Sequence, residues 1–579
     1  MPPKLIPPTV QGSLDARLDR LGPAKATAQL AAAIGREFGY DLLSAVATEG
    51  EDNLRRNLDR LLSAELIYRR DDSPEETYLF KHALLRDAAY QSLLKKSRRA
   101  LHERIGEALT THFPETAKQR PELLAEHYSE AGSVDQAVKL WLLSGQLAVG
   151  RGANQEAIRH LKRGLELIDE LPAAERLSQE LELLIALVPA LIASEGWASA
   201  ELEGIYRRAG QLVNLLGETP HRFTVLSGTM GYHFVAGRVT QGLALSKQLF
   251  ELSTRLGNPL LLTVAHQNCS VGHCYHGDFH LAVEHADAGL AMLDMERERL
   301  IGRMFGLSAC VGLLTYQYIA YWMLGFPQRS MQTCERGLAL ARELNHPPSV
   351  AFALTARTGS SFLQGAADRT LAAADEALHV AREERLGFWE PMLTVFRGWA
   401  VSDLGEPADG IALIRDGLRR YGAAGNGVQQ VWMHVILAEA QSKAGDWDDA
   451  LATIARTKNV ASVNGEGLFE PELYRLEGEV LFARAARGAG ASKGPTSDGR
   501  ESELAAAEHA IREALVLSRR QGAKMLELRS LVSLHRVRTA AGGAAQEAAE
   551  LAKVFASFTE GFDTADLRDA RAALDVVGR

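Results

Sequence analysis

From about residue 100 onward, apolar residues recur every three or four positions along the chain, and short glycine-containing breaks separate the runs. This spacing places the apolar side chains on one face of an α-helix, so the pattern predicts a long series of helices. Breaks such as Gly277-Asp278 and Gly257-Asn258-Pro259 favour turns, because glycine and asparagine accept the backbone angles that tight turns require. Most of the chain is therefore predicted to be helical.

A second pattern recurs within this helical series. It consists of a small residue, a small or apolar residue four positions later, and then Gly-Leu or Ala-Leu. The small residues that open it are Ala157, Ala282, Ser330, Thr370, Gly410 and Ala507, with weaker instances at Gly242 and Ala450. From 242 to 450 they are 40 residues apart, except for one interval of 48 between 282 and 330. Two antiparallel helices need small residues where their backbones approach, and stacked pairs bury one continuous core. The pattern predicts a right-handed superhelix of helix pairs of the tetratricopeptide (TPR) type.

The regular spacing breaks down between Ala450 and Ala507. Residues 485–495, AARGAGASKGP, are rich in small and flexible residues. Such composition is typical of a linker that does not bury a core. We predict a mobile loop at about residues 485–503.

The first hundred residues have a different organisation. Helical periodicity runs through residues 10–21 and 24–36, and it returns after an acidic helix start at residues 51–53. Two β-favouring runs follow, at 66–70 and 77–81, with a turn-rich segment between them. Helices followed by a β-hairpin are the order of a winged-helix domain. We therefore predict an all-α protein in which a small winged-helix-like domain with one β-hairpin (residues 1–100) precedes a TPR-like array (residues 101–579).

Winged-helix domains often bind DNA through a basic helix. The candidate helix, residues 51–65, carries three basic and four acidic residues: Arg55, Arg56, Arg60, Glu51, Asp52, Asp59 and Glu65. The whole chain has a formal net charge of -9, whereas binding to phosphates requires a basic surface. A structural role fits this helix better, and nucleic acid is not an expected partner. A winged-helix transcription regulator is kept as an alternative.

Composition indicates an ordinary globular protein, with 46% hydrophobic and 24% charged residues. Four cysteines do not make a disulfide framework in a chain of 579 residues, and they fit a reducing compartment. The longest uninterrupted apolar run, residues 183–193, is shorter than a bilayer crossing requires, and the N-terminus lacks an apolar signal core. We expect a soluble cytoplasmic protein.

Residues 266–280, HQNCSVGHCYHGDFH, form the most suggestive run of metal-binding residue types. The candidate ligands are His266, Cys269 and His273, because imidazoles and thiols three or four positions apart can meet on one helix face and hold zinc. If Ala282 marks a second helix of the repeat, however, Cys269 and His273 occupy inward positions of the first helix. The sequence therefore favours buried packing residues over a metal site, and no metal or cofactor is predicted.

Motifs of common catalytic sites are missing from the sequence. It contains no GxxxxGK[ST] phosphate loop, no GxSxG and no HExxH. No catalytic residue is therefore predicted. Trp389, Trp399 and Trp432 are candidates to line the groove of the superhelix and bind a peptide or small ligand there, although tryptophan at a helix seam more often belongs to the core.

Three segments of the chain are similar to bacterial multidomain signalling ATPases of the STAND type. They are IPPTVQGSLDARLDRLGPAKATAQLAAAIGREF at 6–38, FKHALLRDAAYQSLLKKSRRALHERIGEAL at 80–109, and FTEGFDTADLRDARAAL at 558–574. In that family a class III adenylate or guanylate cyclase domain, or another effector, precedes an AAA-like ATPase domain and a long TPR tail. The resemblance extends over residues 6–574.

This resemblance implies that the chain corresponds to the region after the ATPase core. The cyclase carboxylates and the nucleotide-binding loop are absent from the sequence, so the family's enzymatic activity cannot be carried over to it. In related switch ATPases a winged-helix histidine approaches the nucleotide phosphates, and His82 is the candidate for that position.

The leading hypothesis is a non-catalytic regulatory or sensor protein. It would bind a protein or small effector in the superhelix groove and regulate an ATPase or cyclase domain, in the same chain or a separate one. The alternative is that the sequence is a fragment of a cyclase or ATPase enzyme whose catalytic domains lie upstream.

Overall fold

The structure is a computed structural model, and it describes residues 14, 16–70, 76–217, 219–384, 386–488, 497–543 and 545–577. The contacts within the chain divide it into two compact units. The first comprises residues 1–194 and 211–217, and the second comprises residues 195–210 and 218–579. The predicted all-α, TPR-like architecture is confirmed, and the described strands belong to one small sheet.

From residue 24 onward, the first unit contains three helices and a three-stranded antiparallel sheet. The elements are α1 (Ala24–Ile34), β1 (Glu37–Gly39), α2 (Tyr40–Val46), α3 (Glu51–Ser63), β2 (Ile67–Arg70) and β3 (Thr77–Phe80). Strand β3 lies in the centre, where Tyr78 pairs with Phe38 of β1 and Phe80 pairs with Ile67 of β2. The hairpin of β2 and β3 was predicted, whereas β1 was missed. Three residues between two helices are too few to display an alternating pattern.

Of the two helices predicted before this sheet, the first is only partly described. Residues 14 and 16–19 are helical, whereas the remaining residues before 16 lie outside the described part of the chain. The helix predicted for 24–36 ends at Ile34, because Gly35 and Arg36 lead into β1.

The rest of the first unit is helical. Its helices are α4 (Ala83–Gln91), α5 (Lys95–His112), α6 (Pro114–Gln119), α7 (Pro121–Ala131), α8 (Val134–Gly150), α9 (Asn154–Glu166) and α10 (Ala173–Glu195), with a 3-10 turn at Ile168–Glu170. Helix α11 (Ala200–Leu216) contributes residues to both units. The boundary predicted at residue 100 falls inside α5, and the division at that residue remains a prediction.

Helix α10 has the length and composition of a membrane span. Its most apolar 18-residue window has a mean hydropathy of 1.5, and 33% of that window is buried in the structure. Leu183 on this helix is fully buried and lies beside Gly164 of α9. Core helices of soluble proteins combine the same two properties, so α10 is weak evidence for a membrane.

The second unit consists mainly of antiparallel helix pairs. The first helices of the pairs are α12 (Arg222–Val235), α14 (Pro259–His276), α17 (Ala309–Met323), α19 (Pro347–Leu363), α21 (Glu390–Asp403), α23 (Gln430–Ala444), α25 (Glu470–Gly488) and α27 (Lys524–Ala540). The second helices are α13 (Val239–Leu256), α15 (Phe279–Leu290), α18 (Pro327–Glu343), α20 (Ala367–Glu383), α22 (Pro407–Ala423), α24 (Trp447–Asn464), α26 (Ser497–Gln521) and α28 (Ala545–Ala556). Two further helices are α16 (Met295–Phe305) and α29 (Ala565–Val577).

The repeat register predicted from small residues is confirmed. Six of these residues are the fourth residue of a second helix, and all are buried: Gly242, Ala282, Ser330, Thr370, Gly410 and Ala450. The long interval of 48 residues arises because α16 is inserted between α15 and α17. The sequence detected the extra residues without predicting their helix.

The loop predicted at residues 485–503 needs a correction. Helix α25 continues to Gly488, and residues 497–503 belong to α26. The intervening residues 489–496 lie outside the described part of the chain. Composition suggested a longer loop because alanine and arginine, which are good helix formers, are interspersed with glycine there.

The first helices of the pairs fill the inside of the superhelix. In α23, Val431, Trp432 and Met433 are consecutive and all buried, so this helix contacts neighbours on more than one face. After five pairs the superhelix meets itself, because α17 contacts α27 and the Arg529 guanidinium lies 4.8 Å from the centre of the Trp322 ring. Contact between successive turns is what positions the candidate site described next.

Candidate functional site

A short loop before α23 forms hydrogen bonds to an earlier turn of the superhelix. It contains Gly425-Asn426-Gly427. The backbone amides of Gly427 and Val428 both donate hydrogen bonds to the carbonyl oxygen of Val235, at 2.7 and 3.1 Å. Val235 is the last residue of α12, so this loop contacts the end of a first helix five pairs earlier.

The loop before α25 repeats this arrangement 40 residues later. It contains Gly465-Glu466-Gly467. The amides of Gly467 and Leu468 donate to the carbonyl oxygen of Tyr275, at 2.8 and 3.1 Å. Tyr275 lies near the end of α14, again five pairs earlier. We refer to these two loops as the turn-contact loops.

Glycine is required in both turn-contact loops because the backbones nearly touch. A Cβ atom on Gly427 would lie 2.3 Å from the carbonyl oxygen of Ala236, and one on Gly467 would lie 2.4 Å from that of His276. Real Cβ atoms do not approach an oxygen so closely. These glycines therefore allow successive turns to hydrogen-bond directly.

The residue between the two glycines is buried and polar in each loop. Asn426 is 3% exposed and Glu466 is 1% exposed. Among the described residues, no hydrogen-bond partner reaches Asn426 Oδ1 or either carboxylate oxygen of Glu466. A buried acceptor without a donor costs free energy, so these positions are unusual for a folded core.

Burial dominates the electrostatics of Glu466. It raises the pKa of this carboxyl to about 8, and the backbone amide of Gln429, which lies nearby without reaching hydrogen-bond geometry with either carboxylate oxygen, offsets the shift only in part. The phenols of Tyr275 and Tyr421 lie close enough for the Glu466 charge to raise their pKa values further, beyond the larger effect of burial. Gln429 Nε2 donates to the Tyr275 hydroxyl at 2.7 Å, so that hydroxyl is already engaged.

A cavity of about 450 Å³ opens at this turn-contact loop. We call it the Glu466 cavity. It is lined by the loop backbone and by ionisable and amide side chains of the loop itself, of the turn between α14 and α15, and of α25 and α26: His276, Asp278, Glu466, Glu470, Arg520 and Gln521. Gln521 Nε2 donates to the carbonyl oxygen of Gly467 at 2.8 Å, while Gln521 Oε1 is buried without a partner among the described residues.

A second cavity in this unit, of about 400 Å³, differs in that its charged groups have partners. Arg415 Nη2 lies 2.9 Å from Asp449 Oδ2, and Arg456 Nη2 lies 3.4 Å from Thr453 Oγ1. His434 Nδ1 lies 2.7 Å from a backbone carbonyl of its own helix. These pairs leave fewer unsatisfied groups for a ligand, so the Glu466 cavity is the stronger candidate.

The structure places His82 on the surface of the first unit. It is exposed and directly precedes α4, at the end of β3. Its side chain does not cap that helix, whereas its carbonyl oxygen accepts a hydrogen bond from Leu85 N at 3.0 Å. The neighbouring Lys81 is paired with Glu65 at 2.5 Å. His82 is thus accessible to a partner.

The three candidate zinc ligands in residues 266–280 have protein partners. His266 Nδ1 lies 3.1 Å from His285 Nδ1, and His273 Nδ1 lies 3.1 Å from Asp278 Oδ2. Cys269 donates to the carbonyl oxygen of Ser246 at 3.4 Å, and burial raises the pKa of its thiol to about 12. Cys269 and His273 are buried on α14, as the repeat register predicted. No cluster suited to a metal occurs among the described residues.

The three tryptophans proposed as groove residues lie in the core instead. Trp389, Trp399 and Trp432 are 9%, 4% and 3% exposed. Trp389 stacks on Phe352 with ring centres 4.9 Å apart, and Trp432 stacks on Phe469 at 4.8 Å. All three side chains are buried where adjacent first helices pack together.

Sequence reasoning missed Glu466 and both turn-contact loops. The available signal was the pattern Gly-x-Gly followed by an aliphatic residue, which occurs at 425–428 and again at 465–468, in step with the 40-residue repeat. A charged residue inside this pattern is normally expected to face solvent. Its burial depends on a contact between turns that the local sequence does not encode.

Comparisons with known proteins do not show a family for this chain. No protein-family model matches the chain. An uncharacterized protein of Rhizobium meliloti (strain 1021) is 26% identical over 490 residues, which cover 82% of this chain and 46% of that protein. The chain thus spans about half the length of the curated relative that it matches.

Several solved structures are similar at low sequence identity. The Rap protein complexed with competence and sporulation factor is 13% identical, with a TM-score of 0.38, covering 64% of this chain and 99% of its own. The Cut9-Hcn1 hetero-tetramer of the APC/C is 12% identical, with a TM-score of 0.41 and coverages of 84% and 85%. A STAND protein with a tetratricopeptide repeat sensor from Pyrococcus horikoshii is 11% identical, with a TM-score of 0.28 and coverages of 99% and 68%.

Proposed function

We propose that this protein is a cytoplasmic, non-catalytic regulator. Its second unit binds an effector, and its first unit acts on an ATPase or cyclase domain in the same chain or a separate one. The observation that carries this proposal is the exposed position of His82 at the start of α4, directly after the sheet β1-β3-β2. A histidine there can reach a partner's phosphate groups without any rearrangement of its own unit.

The order of helices and strands in the first unit supports the further proposal that this unit contains a winged-helix-like domain. Along the chain the elements follow in the order α1, β1, α2, α3, β2 and β3, which is the order of a winged-helix domain. The relative from Rhizobium meliloti supports the regulatory part, because more than half of that protein lies outside the matching region. Effector domains of the kind that the resemblance implies would have room there.

A role in reading DNA receives less support from α3. The Arg55 guanidinium lies 3.2 Å from Glu51 Oε1 and 4.3 Å from the centre of the Tyr40 ring. Arg56 bonds to Asn53 and to the carbonyl oxygen of Asp52. These arginines are engaged within their own domain, whereas phosphate binding needs cationic groups that are free to release counterions.

The proposal can be tested by affinity capture with a matched histidine variant. The tagged chain would be expressed in the organism that it comes from and recovered after crosslinking, in parallel with His82→Ala and with His379→Ala. His379 is an exposed histidine on α20 of the second unit. We expect a protein with a P-loop ATPase or cyclase domain to be recovered with the wild type and with His379→Ala, and to be depleted at least fivefold with His82→Ala. Equal recovery with all three proteins, or recovery without any such domain, would contradict the proposal.

A further inference from the structure

We propose that the Glu466 cavity binds a small ligand through a protonated primary amine. The inference deepens the proposed function, since it names the chemical class of the effector and rests on the second unit acting as the sensor. Three features of the cavity support the binding of an amine: its unpaired hydrogen-bond acceptors, its charge and its size.

Unpaired hydrogen-bond acceptors outnumber donors in this cavity. Both carboxylate oxygens of Glu466 and the amide oxygen of Gln521 are buried without a partner among the described residues. The hydrogen bond from Gln521 Nε2 to Gly467 fixes which end of that amide remains unpaired. An ammonium group carries three N–H donors and no acceptor, so it complements such a set of oxygens.

The charges around the cavity favour a cation over an anion. Asp278, Glu466 and Glu470 supply three carboxylates. Asp278 lies 3.0 Å from His276 Nδ1, and Glu470 lies 3.9 Å from Arg520. Glu466 has no such partner, and an anionic ligand would be repelled by Asp278 and Glu470, and also by Glu466 once its carboxyl ionises.

The size of the cavity suits a compact molecule. Its volume of about 450 Å³ lies within the range of ~300–1,000 Å³ that is typical of small-molecule sites. Ligand atoms here would bridge the turn-contact loop, α26 and the turn after α14, which belong to successive turns of the superhelix. Occupancy would therefore reinforce the contact between turns.

The ionisation of Glu466 predicts how the affinity for the ligand depends on pH. Because burial raises the pKa of this carboxyl to about 8, a cation that binds at pH 7 must displace a proton. Affinity should rise about tenfold between pH 7 and pH 9, as the ionised fraction approaches one. A ligand held only by exposed acidic groups would show no such rise.

The test is titration calorimetry of the full chain with 1,4-diaminobutane in an amine-free buffer at pH 7 and pH 9. The neutral analogue 1,4-butanediol serves as the ligand control. Two carboxamide variants are compared with the wild type: Glu466→Gln at the site and Glu343→Gln at an exposed position of α18. We expect saturable binding of the diamine with the pH dependence given above, at least tenfold weaker binding by Glu466→Gln, unchanged binding by Glu343→Gln, and no binding of the diol.

A further variant guards against misfolding of Glu466→Gln. Gln521→Leu leaves the carboxylate in place and removes one acceptor, so we expect severalfold weaker binding with an unchanged circular dichroism spectrum. Equal affinity of wild type and Glu466→Gln, equal binding of the diol, or no heat with 10 mM diamine at pH 9 would overturn the proposal. Partner capture through His82 does not depend on these outcomes, so the two proposals can fail separately.

Discussion

Arg529 on α27 and Asp566 on α29 form a two-point ion pair, with Nε–Oδ1 at 2.6 Å and Nη2–Oδ2 at 3.1 Å. The same guanidinium lies 3.3 Å from Glu472 Oε1 on α25 and covers the face of the Trp322 ring on α17. One arginine therefore connects the last described helix to two earlier parts of the superhelix. Fixed geometry and partial burial make such a pair stronger than an exposed one.

Replacing Asp566 by alanine should destabilise the second unit by about 2 kcal/mol. The loss is smaller than the ~3–5 kcal/mol of a fully buried pair, because Glu472 remains as a partner of Arg529 and the guanidinium keeps some exposure. Urea unfolding followed by tryptophan fluorescence would measure it. Arg568→Ala, an exposed neighbour on α29, is the control and should change stability by less than about 0.5 kcal/mol. Equal effects of the two substitutions would mean that the ion pair contributes nothing.

The close approach of α21 and α22 leads to a second prediction. A Cβ atom on Gly410 would lie 2.5 Å from the carbonyl oxygen of Gly398 and 2.6 Å from the amide nitrogen of Ser402. These are backbone atoms that cannot move independently, so Gly410→Ala should force the helices apart and cost about 1–3 kcal/mol. Urea unfolding with the same fluorescence signal would detect the loss.

A glycine twelve residues later on the same helix provides the matched control for Gly410. A Cβ on Gly422 would meet only Gln430 Nε2, at an ordinary 3.8 Å. Gly422→Ala should therefore stabilise the protein by up to about 1 kcal/mol, because alanine favours the helix more than glycine does. If both substitutions shifted stability in the same direction, the helix contact would not be the cause.

Gly410 and Gly427 differ in whether their contacts could be predicted from the sequence. Gly410 was identified as an inter-helix position because small residues recur at fixed spacing, and local packing within a pair follows from local sequence. The contact between Gly427 and Val235 was not predictable in this way. It joins residues almost 200 positions apart, and it depends on small rotations that accumulate over five helix pairs. The burial of Glu466 depends on an equivalent contact, which is why the fold was predicted and the candidate site was missed.

The raised pKa of Glu466 predicts an unusual pH dependence of stability. In the unfolded chain this carboxyl ionises near its ordinary value of 4.5, whereas in the fold it stays protonated up to about pH 8. The folded state therefore binds the extra proton between these values, and stability should fall as pH rises through that window, by up to about 1.4 kcal/mol per pH unit. Glu466→Gln should abolish this part of the loss.

Urea unfolding of the wild type and Glu466→Gln at pH 5, 6.5 and 8 would measure the difference. The stability of the variant relative to the wild type should increase steadily across the series. Glu343→Gln on the surface of α18 should give a constant difference. A difference between Glu466→Gln and wild type that did not change with pH would show that Glu466 is not held in a protonated state.

The first unit contains a buried histidine pair, which predicts that stability falls as pH is lowered, opposite to the pH dependence expected from Glu466. His102 Nδ1 on α5 lies 2.8 Å from His127 Nδ1 on α7, and His102 Nε2 lies 2.8 Å from the hydroxyl of Tyr90. Tyr90 in turn donates to Glu130 at 3.1 Å. One proton can serve the bond between the two facing nitrogens, so protonation of both histidines would break it.

Acid should therefore destabilise the first unit, and the loss should begin at pH values above the pKa values that the two histidines have in the folded state. Burial, and secondarily the charge of His102, lower the pKa of His127 to about 4, and burial also lowers that of His102, although Glu130 opposes this shift. Their folded pKa values lie below the ordinary 6.5, so stability is complete above pH 6.5 and is lost as pH falls toward 4. Linkage gives a loss of up to about 1.4 kcal/mol per pH unit for His127.

Hydrogen exchange of peptides from α5 and α7, compared at pH 7 and pH 5 after correction for intrinsic rates, should show faster opening at pH 5. His127→Gln should reduce this acid effect, because the amide does not titrate, whereas His379→Gln in the second unit should leave it unchanged. Equal acid sensitivity of His127→Gln and wild type would exclude the histidine pair as its source.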